Sequence, residues 1–140
     1  MDTIIVFRVG EELIGIDIAK VREVTEVQVP VAVPRAPDFL LGLVNVRGEV
    51  VPVLSLRKRL GFGGDELGSV LLVVDHEGRV AGLKVDALLG TRKIVERNIR
   101  KDSELLSTKK EKDFFLGVYE TDEKPVLILD LSKTLSKEDT

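Results

Sequence analysis

Cysteine and tryptophan are absent from this chain of 140 residues, and histidine and tyrosine occur once each. Without cysteine there are no disulfides, thiol nucleophiles or thiolate-ligated metals. A single histidine excludes a multi-histidine metal centre and leaves a Ser-His-Asp triad little to stand on. Aromatic residues are only 4% of the chain, too few for base or sugar stacking platforms. No run approaches the ~18 apolar residues of a membrane helix. The N-terminus Met1-Asp2-Thr3-Ile4 lacks the basic region of a secretory signal. The expectation is a cytoplasmic protein with no direct membrane insertion. A net charge of -3 argues against a nucleic-acid surface, which needs a concentrated basic patch.

What is present is a set of short runs rich in Val, Ile and Leu, punctuated by Gly, Asp and Glu, the pattern of many short strands. Strands are expected at Thr3 to Val9, Leu13 to Asp17, Lys20 to Gln28, Ser69 to Asp75, Arg79 to Val85, Phe114 to Glu120 and Pro125 to Leu129. In Lys20 to Gln28, Val21, Val24 or Thr25, Val27 and Val29 alternate with Arg22, Glu23, Glu26 and Gln28. Helical pieces are short: Leu56 to Leu60, Pro37 to Leu41, and a turn from Asp130 to Leu135. The fold class is mainly β.

The halves echo one another. Val6-Phe7 with Leu13-Ile14-Gly15-Ile16-Asp17-Ile18 resembles Val73-Val74 with Val80-Ala81-Gly82-Leu83-Lys84-Val85. Leu41-Gly42-Leu43-Val44 with Pro52-Val53-Leu54-Ser55-Leu56 resembles Leu116-Gly117-Val118-Tyr119 with Pro125-Val126-Leu127-Ile128-Leu129. The same two hairpins recur in the same order, which implies two small barrels packed together. Each would hold about 70 residues, near the lower limit for an independent core, so they must share apolar surface. The expected organisation is one domain, 1-140, with two pseudo-repeated subdomains meeting near residues 60-68. A groove at their junction is the natural place for a partner.

Catalytic chemistry finds no constellation. His76 lies between Asp75 and Glu77 in an expected hairpin tip, where solvation defeats a pre-organised base. Gly61-Phe62-Gly63-Gly64 is followed by Asp65-Glu66, which would repel phosphate, so it reads as a flexible connector. The acidic pairs Glu11-Glu12, Asp65-Glu66 and Asp122-Glu123 fall in turns and lack the alternating oxygens of a calcium loop. Lys93 to Lys112, with Arg92, Arg97, Arg100, Lys101, Lys109 and Lys110, interleaves its basic residues with Glu96, Asp102, Glu104, Glu111 and Asp113 and reads as a mobile surface loop.

One run stands apart in a chain that is 32% charged: Leu40-Leu41-Gly42-Leu43-Val44-Asn45-Val46-Arg47-Gly48-Glu49-Val50-Val51-Pro52-Val53-Leu54. Two apolar strands meet at a tip carrying one arginine and one glutamate. Asn45 and Gly48 suit the first and fourth positions of a type I turn. A rigid hairpin showing one fixed cation suggests a contact surface. With Lys20-Val21-Arg22-Glu23-Val24, Pro37 to Gly42 and Gly82-Leu83-Lys84-Val85-Asp86, these motifs closely resemble the CheW family, from Ile4 to about Leu135. The Asn-x-Arg-Gly tip and its Pro-Val-x-x-Leu continuation are the specific part. Ser55 stands where the family often has aspartate or asparagine before the leucine.

The resemblance implies two intertwined five-stranded SH3-like β-barrels with short helices and a shared hydrophobic core. It implies no enzymatic activity and no cofactor. It implies adaptors that grip the coiled-coil tip of a chemoreceptor and pair with the regulatory domain of the chemotaxis histidine kinase in membrane-associated arrays. An adaptor of another pathway, such as surface motility, is the alternative. Carried over by motif, Val21, Glu23, Gly42, Arg47, Val70, Val85 and Asp86 would border the receptor groove, and Pro30, Val31 and Val33 would face the kinase. Core packing is an equal reading for Val21. For Arg47, an internal pair with Glu23 or Glu49 stands beside a partner contact.

Overall fold

In the computed structural model, residues 1–65, 68–120 and 123–136 are described, together with the backbone but not the side chains of 109–111. The elements run β1 (Thr3–Val9), β2 (Glu12–Asp17), a 3-10 turn (Ile18–Lys20), β3 (Val21–Glu26), β4 (Leu40–Val46), β5 (Glu49–Ser55) and α1 (Leu56–Leu60). They continue with β6 (Val70–His76), β7 (Arg79–Val85), β8 (Ala87–Lys93), a 3-10 turn (Glu96–Asn98), β9 (Ile99–Arg100), α2 (Lys109–Phe114), β10 (Phe115–Tyr119), β11 (Val126–Leu129) and α3 (Leu131–Thr134). The mainly β reading holds, with two sheets of order β8-β1-β2-β11-β10-β9 and β3-β6-β7-β5-β4.

The two sheets have the same plan. In each, two antiparallel hairpins are joined by one parallel pairing, β2 with β11 and β7 with β5. Hairpin β1–β2 shares its sheet with β10–β11 from the far end of the chain, and β6–β7 shares its sheet with β4–β5. Each sheet therefore takes strands from both sides of residues 60–68, so the sequence repeats and the sheets divide the chain differently. The sixth strand, β9, pairs Arg100 with Val118, and the isolated Val31–Leu43 bridge occupies the corresponding place in the other sheet.

The second-hairpin echo holds with a different register. Gly42 faces Val53 and Gly117 faces Ile128, each beside an irregularity in the ladder. Pro52 is thus equivalent to Leu127, two positions away from the Pro125 match suggested by sequence. The same frame equates Ser55 with Asp130. Ser55 Oγ accepts from Lys58 N at 3.1 Å and caps α1, while Asp130 Oδ1 accepts from Lys133 N at 3.2 Å and caps α3. Serine keeps the capping role that an aspartate would have at this position.

Strands in the middle of the sheets are apolar on both faces because both faces are covered. Ile4 and Val6 of β1 join Ile94, Val126 and Ile128, while Ile5, Phe7 and Val9 of the same strand join the large core. In β6, Leu71 and Val73 pack with Val44, Val51 and Val53, while Leu72 and Val74 enter that large core. The large core also takes Leu56 and Leu60 of α1, Leu131 of α3, and Leu106. Two small barrel interiors flank one shared core.

Several expectations change. Asp38–Phe39 forms a turn closed by Leu40 N donating to the Pro37 carbonyl at 3.0 Å, and Leu40 and Leu41 already belong to β4. Pro37 fits a turn start, and the β-pairing of Leu40 with Leu54 outcompetes a helix. Strand β8 has no clean alternation because it is an edge strand interrupted at Gly90, where the ladder with β1 shifts. Lys93 to Lys112 is not a free loop: Ile94 and Leu106 are buried in the cores and anchor it, with β9 between them. Gly61–Gly64 wraps the end of α1, where the Gly63 carbonyl accepts from Arg57 Nη1 at 2.8 Å. Glu66 of the acidic pair at 65–66, part of the junction at 60–68, and Asp122 of the pair at 122–123 lie outside the described residues.

Candidate functional site

The β4–β5 tip is built by its own sequence. Val46 pairs with Glu49, so Arg47 and Gly48 are the two central turn residues, with φ of 51° and 85°. Both are left-handed, the mirror-image two-residue hairpin turn, which replaces the type I turn expected from Asn45 and Gly48. The right-handed strand twist favours this form. Asn45 still acts as foreseen across the turn, its Oδ1 accepting from Gly48 N at 2.9 Å. Asp75 repeats the device at the β6–β7 tip, accepting from Gly78 N at 3.0 Å.

Around the first tip the structure gathers charge. Arg47 Nε donates to Glu23 Oε2 at 2.6 Å, while the Arg47 side chain remains 83% exposed. Arg22 Nη1 donates to Glu49 Oε2 at 2.8 Å, and its Nη2 donates to Asp75 Oδ2 at 2.9 Å. Hydrogen bonds donated to Asp75 first and to Glu49 second push the Arg22 guanidinium pKa up. Beneath these pairs Val46, Val51 and Val73 wall a cavity of about 90 Å³ at the mouth of the second barrel.

The expected groove residues fall into three settings. Glu23 and Arg47 meet at this rim. Val21 and Val70 are half-buried on the fringe of the shared core, and Val70 pairs with Val85 across the β6–β7 ladder. Gly42 lies inside β4 with φ of 144°, where a Cβ would overlap the Val31 carbonyl, so its bare backbone seats the Pro30–Val31 segment. Two residues do not reach the surface. Val85 is 1% exposed and packs in the shared core, because a β7 valine facing Val70 points between the barrels. Asp86 is consumed internally: Oδ2 accepts from Gly10 N at 2.7 Å and from Arg57 Nη2 at 2.8 Å. Both carry structural duties.

Of the three residues expected to face the kinase, Val31 is 73% exposed while Pro30 and Val33 are half-buried. Val31 exchanges two backbone hydrogen bonds of 2.9 Å with Leu43, and Leu43 in turn pairs with Pro52. Val50, 65% exposed, lies two residues along β5 from Pro52 and so on the same face. The result is an uncovered aliphatic face on the outside of the second barrel.

His76 is less solvated than a hairpin tip suggests. Its side chain is 17% exposed, and its Nε2 lies 3.8 Å from Glu77 Oε2. A cleft of about 900 Å³ lies beside the β1–β2 turn, lined by Val9, Leu60, Phe62, Arg57, Leu105 and Leu127 among others, and includes none of the expected site residues. Nothing in the sequence singled out Arg22 or Arg59. Arg59 is buried, with its guanidinium 4.3 Å from the Phe39 ring centre and 5.1 Å from that of Phe114. It donates to the carbonyls of Thr134, Lys133 and Ser136 at the end of α3. Only the equal Asx-to-Gly spacing at 45–48 and 75–78 offered a sequence signal for the paired tips.

Two interlocked barrels presenting a charged hairpin tip and an aliphatic face define a β-barrel scaffold domain. Comparison with known proteins agrees. The CheW-like domain model matches residues 3–139, so the chain belongs to the CheW-like family. The chemotaxis protein CheW of Klebsiella aerogenes is 30% identical over 138 residues, covering 96% of this chain and 82% of that one. CheW of Rhizobium meliloti is 30% identical over 138 residues, covering 97% and 88%. Among solved structures, the scaffolding protein TtCheW of Thermoanaerobacter tengcongensis is 34% identical with a TM-score of 0.83, covering 93% of this chain and 84% of that one.

Proposed function

We propose that this chain is a non-catalytic chemotaxis adaptor that couples the cytoplasmic coiled-coil tip of methyl-accepting chemoreceptors to the regulatory domain of the CheA-type histidine kinase. It works as one unit, 1-140, whose two repeats meet near residues 60-68, in the cytoplasm and recruited to receptor arrays, without a cofactor. The observation that carries this reading is the exposed Arg47, tethered to Glu23 at the rim of the second barrel, with Val21 and Val70 half-buried on the shared-core face of the same sheet. A receptor helix offers an apolar stripe with polar flanks, and an exposed, tethered cation is suited to one such flank. Arg47 would receive a receptor carboxylate or a helix C-terminal carbonyl. The face of Val31 and Val50, with Pro30 and Val33 at its border, is the kinase-facing side.

The test titrates the full chain separately with a receptor cytoplasmic fragment and with the regulatory domain of the cognate kinase. Arg47→Ala should weaken receptor binding about tenfold or more, the loss of one charge-assisted contact, and leave kinase binding intact. Val31→Asp should do the opposite. Wild-type behaviour by both variants refutes the site assignment. Failure of the wild-type chain to bind either partner refutes the function, and capture instead by a kinase of another pathway from the same genome assigns it there.

A further inference from the structure

Strands β3 and β4 occupy opposite edges of the five-stranded sheet, so no backbone ladder ties β3 to the Arg47 tip. Side chains make the connection. Two consecutive β3 residues reach the two residues that flank Gly48: Arg22 to Glu49 and Glu23 to Arg47. The signs are crossed, so a slip of the tip along β3 would set like charges opposite one another. From these contacts we infer that Arg22 is the positioning residue for Arg47. The inference rests on the reading of Arg47 as a receptor contact.

Arg22 suits this task because its planar fork holds two bodies at once. One amino group takes Glu49 on the Arg47 hairpin, and the other takes Asp75 on the β6–β7 hairpin. Asp75 is itself fixed, since its other oxygen accepts from Gly78 N. The tip is therefore braced against a second rigid turn. Glu23 alone would be a poor brace, because an isolated exposed ion pair holds a side chain weakly. With the brace in place, Arg47 spends only Nε on Glu23, and neither Nη1 nor Nη2 has a partner among the described residues. That end-on edge is aimed outward and matches a carboxylate bidentately. A receptor then meets a cation already ordered, and the ordering cost of binding falls.

The experiment uses the full chain with its arginine side chains labelled by nitrogen-15, alone and with the receptor cytoplasmic fragment. In the free protein, Arg22→Ala should lower the heteronuclear NOE at Arg47 Nε while the amide spectrum of the buried strands stays unchanged. It should weaken receptor binding about 3- to 10-fold, the range for leaving one rotamer-rich side chain to be ordered on binding. The isosteric Glu49→Gln should act in the same direction. The double variant Arg22→Ala with Arg47→Ala should bind no more weakly than Arg47→Ala alone. An unchanged Arg47 Nε signal in Arg22→Ala, or losses that multiply in the double variant, overturns the positioning role. Wild-type binding by Arg47→Ala would instead sink the receptor-contact reading, and the NOE comparison would still decide whether Arg22 braces the tip.

Discussion

Replacing Gly42 by alanine should cost far more than the same change at Gly48, six residues along the same hairpin. Both glycines have positive φ, 144° and 85° respectively. A Cβ at position 48 meets nothing within 4 Å, so that change pays only the backbone preference, about 1 kcal/mol. At position 42 the new methyl would overlap the Val31 carbonyl and lie 2.7 Å from the Val31 carbonyl carbon and 2.9 Å from Pro30 Cβ. Backbone atoms cannot rotate aside as a flexible side chain can. The Val31 segment must lift, breaking two hydrogen bonds to Leu43 worth roughly 0.5–1.5 kcal/mol each. Backbone strain adds about 1–3 kcal/mol, so the total is about 2–6 kcal/mol. Urea unfolding followed by far-ultraviolet circular dichroism measures the loss, and hydrogen exchange at the Val31 and Leu43 amides locates it. The same variant should lose kinase regulatory domain binding, because it displaces Pro30 and Val31. A Gly42→Ala cost no larger than that of Gly48→Ala would refute the seating role.

Three further outcomes follow from the buried side chains. Asp86→Asn should destabilise the fold by about 2–4 kcal/mol, because it weakens a pair whose side chains are 7% and 11% exposed and leaves Arg57 charged in a poorly solvated place; a change under 0.5 kcal/mol in a denaturant melt would contradict this. Val85→Ala should cost about 2 kcal/mol of stability from lost burial and cavity formation, yet leave receptor affinity unchanged when measured well below its melting temperature. Arg59→Leu should cost about 3 kcal/mol through lost carbonyl bonds at α3 and lost ring contacts, and Arg59→Lys should recover little of it, since an ammonium cannot span several carbonyls in one plane.

Much of this architecture is legible in the sequence because local patterns and tertiary demands agree. The strands at Thr3–Val9 and Arg79–Val85 read correctly to the residue, since turn signals bracket their apolar runs on both sides. The helix Leu56–Leu60 also reads to the residue, between a capping serine and Gly61. Strand β8 was invisible because an edge strand with an internal glycine and a mixed surface lacks any period. The site was legible only in part. An internal pair of Arg47 with either Glu23 or Glu49 was expected, and Arg47 meets Glu23. Arg22 was read as an ordinary outward charge of an alternating strand, since nothing local distinguishes a solvated arginine from one holding two hairpins. Val85 and Asp86 were carried to the surface by their motif, whereas the packing between barrels takes them inside.

The sequence by itself determined the strand inventory, the duplicated hairpins, the Arg47 tip and the family, because each is encoded in short-range periodicity, turn chemistry or a contiguous motif. Only the tertiary structure decided which hairpins share a sheet. Parallel pairing of β2 with β11 and of β5 with β7 joins residues far apart in the chain, and no local pattern specifies such partners. It also decided the fate of each charge. Arg22, Arg57 and Arg59 are alike as letters, yet one braces two turns, one neutralises a buried aspartate and one caps a distant helix. Electrostatic role depends on what the fold brings within about 3 Å, and that distance is set by packing rather than by order in the chain.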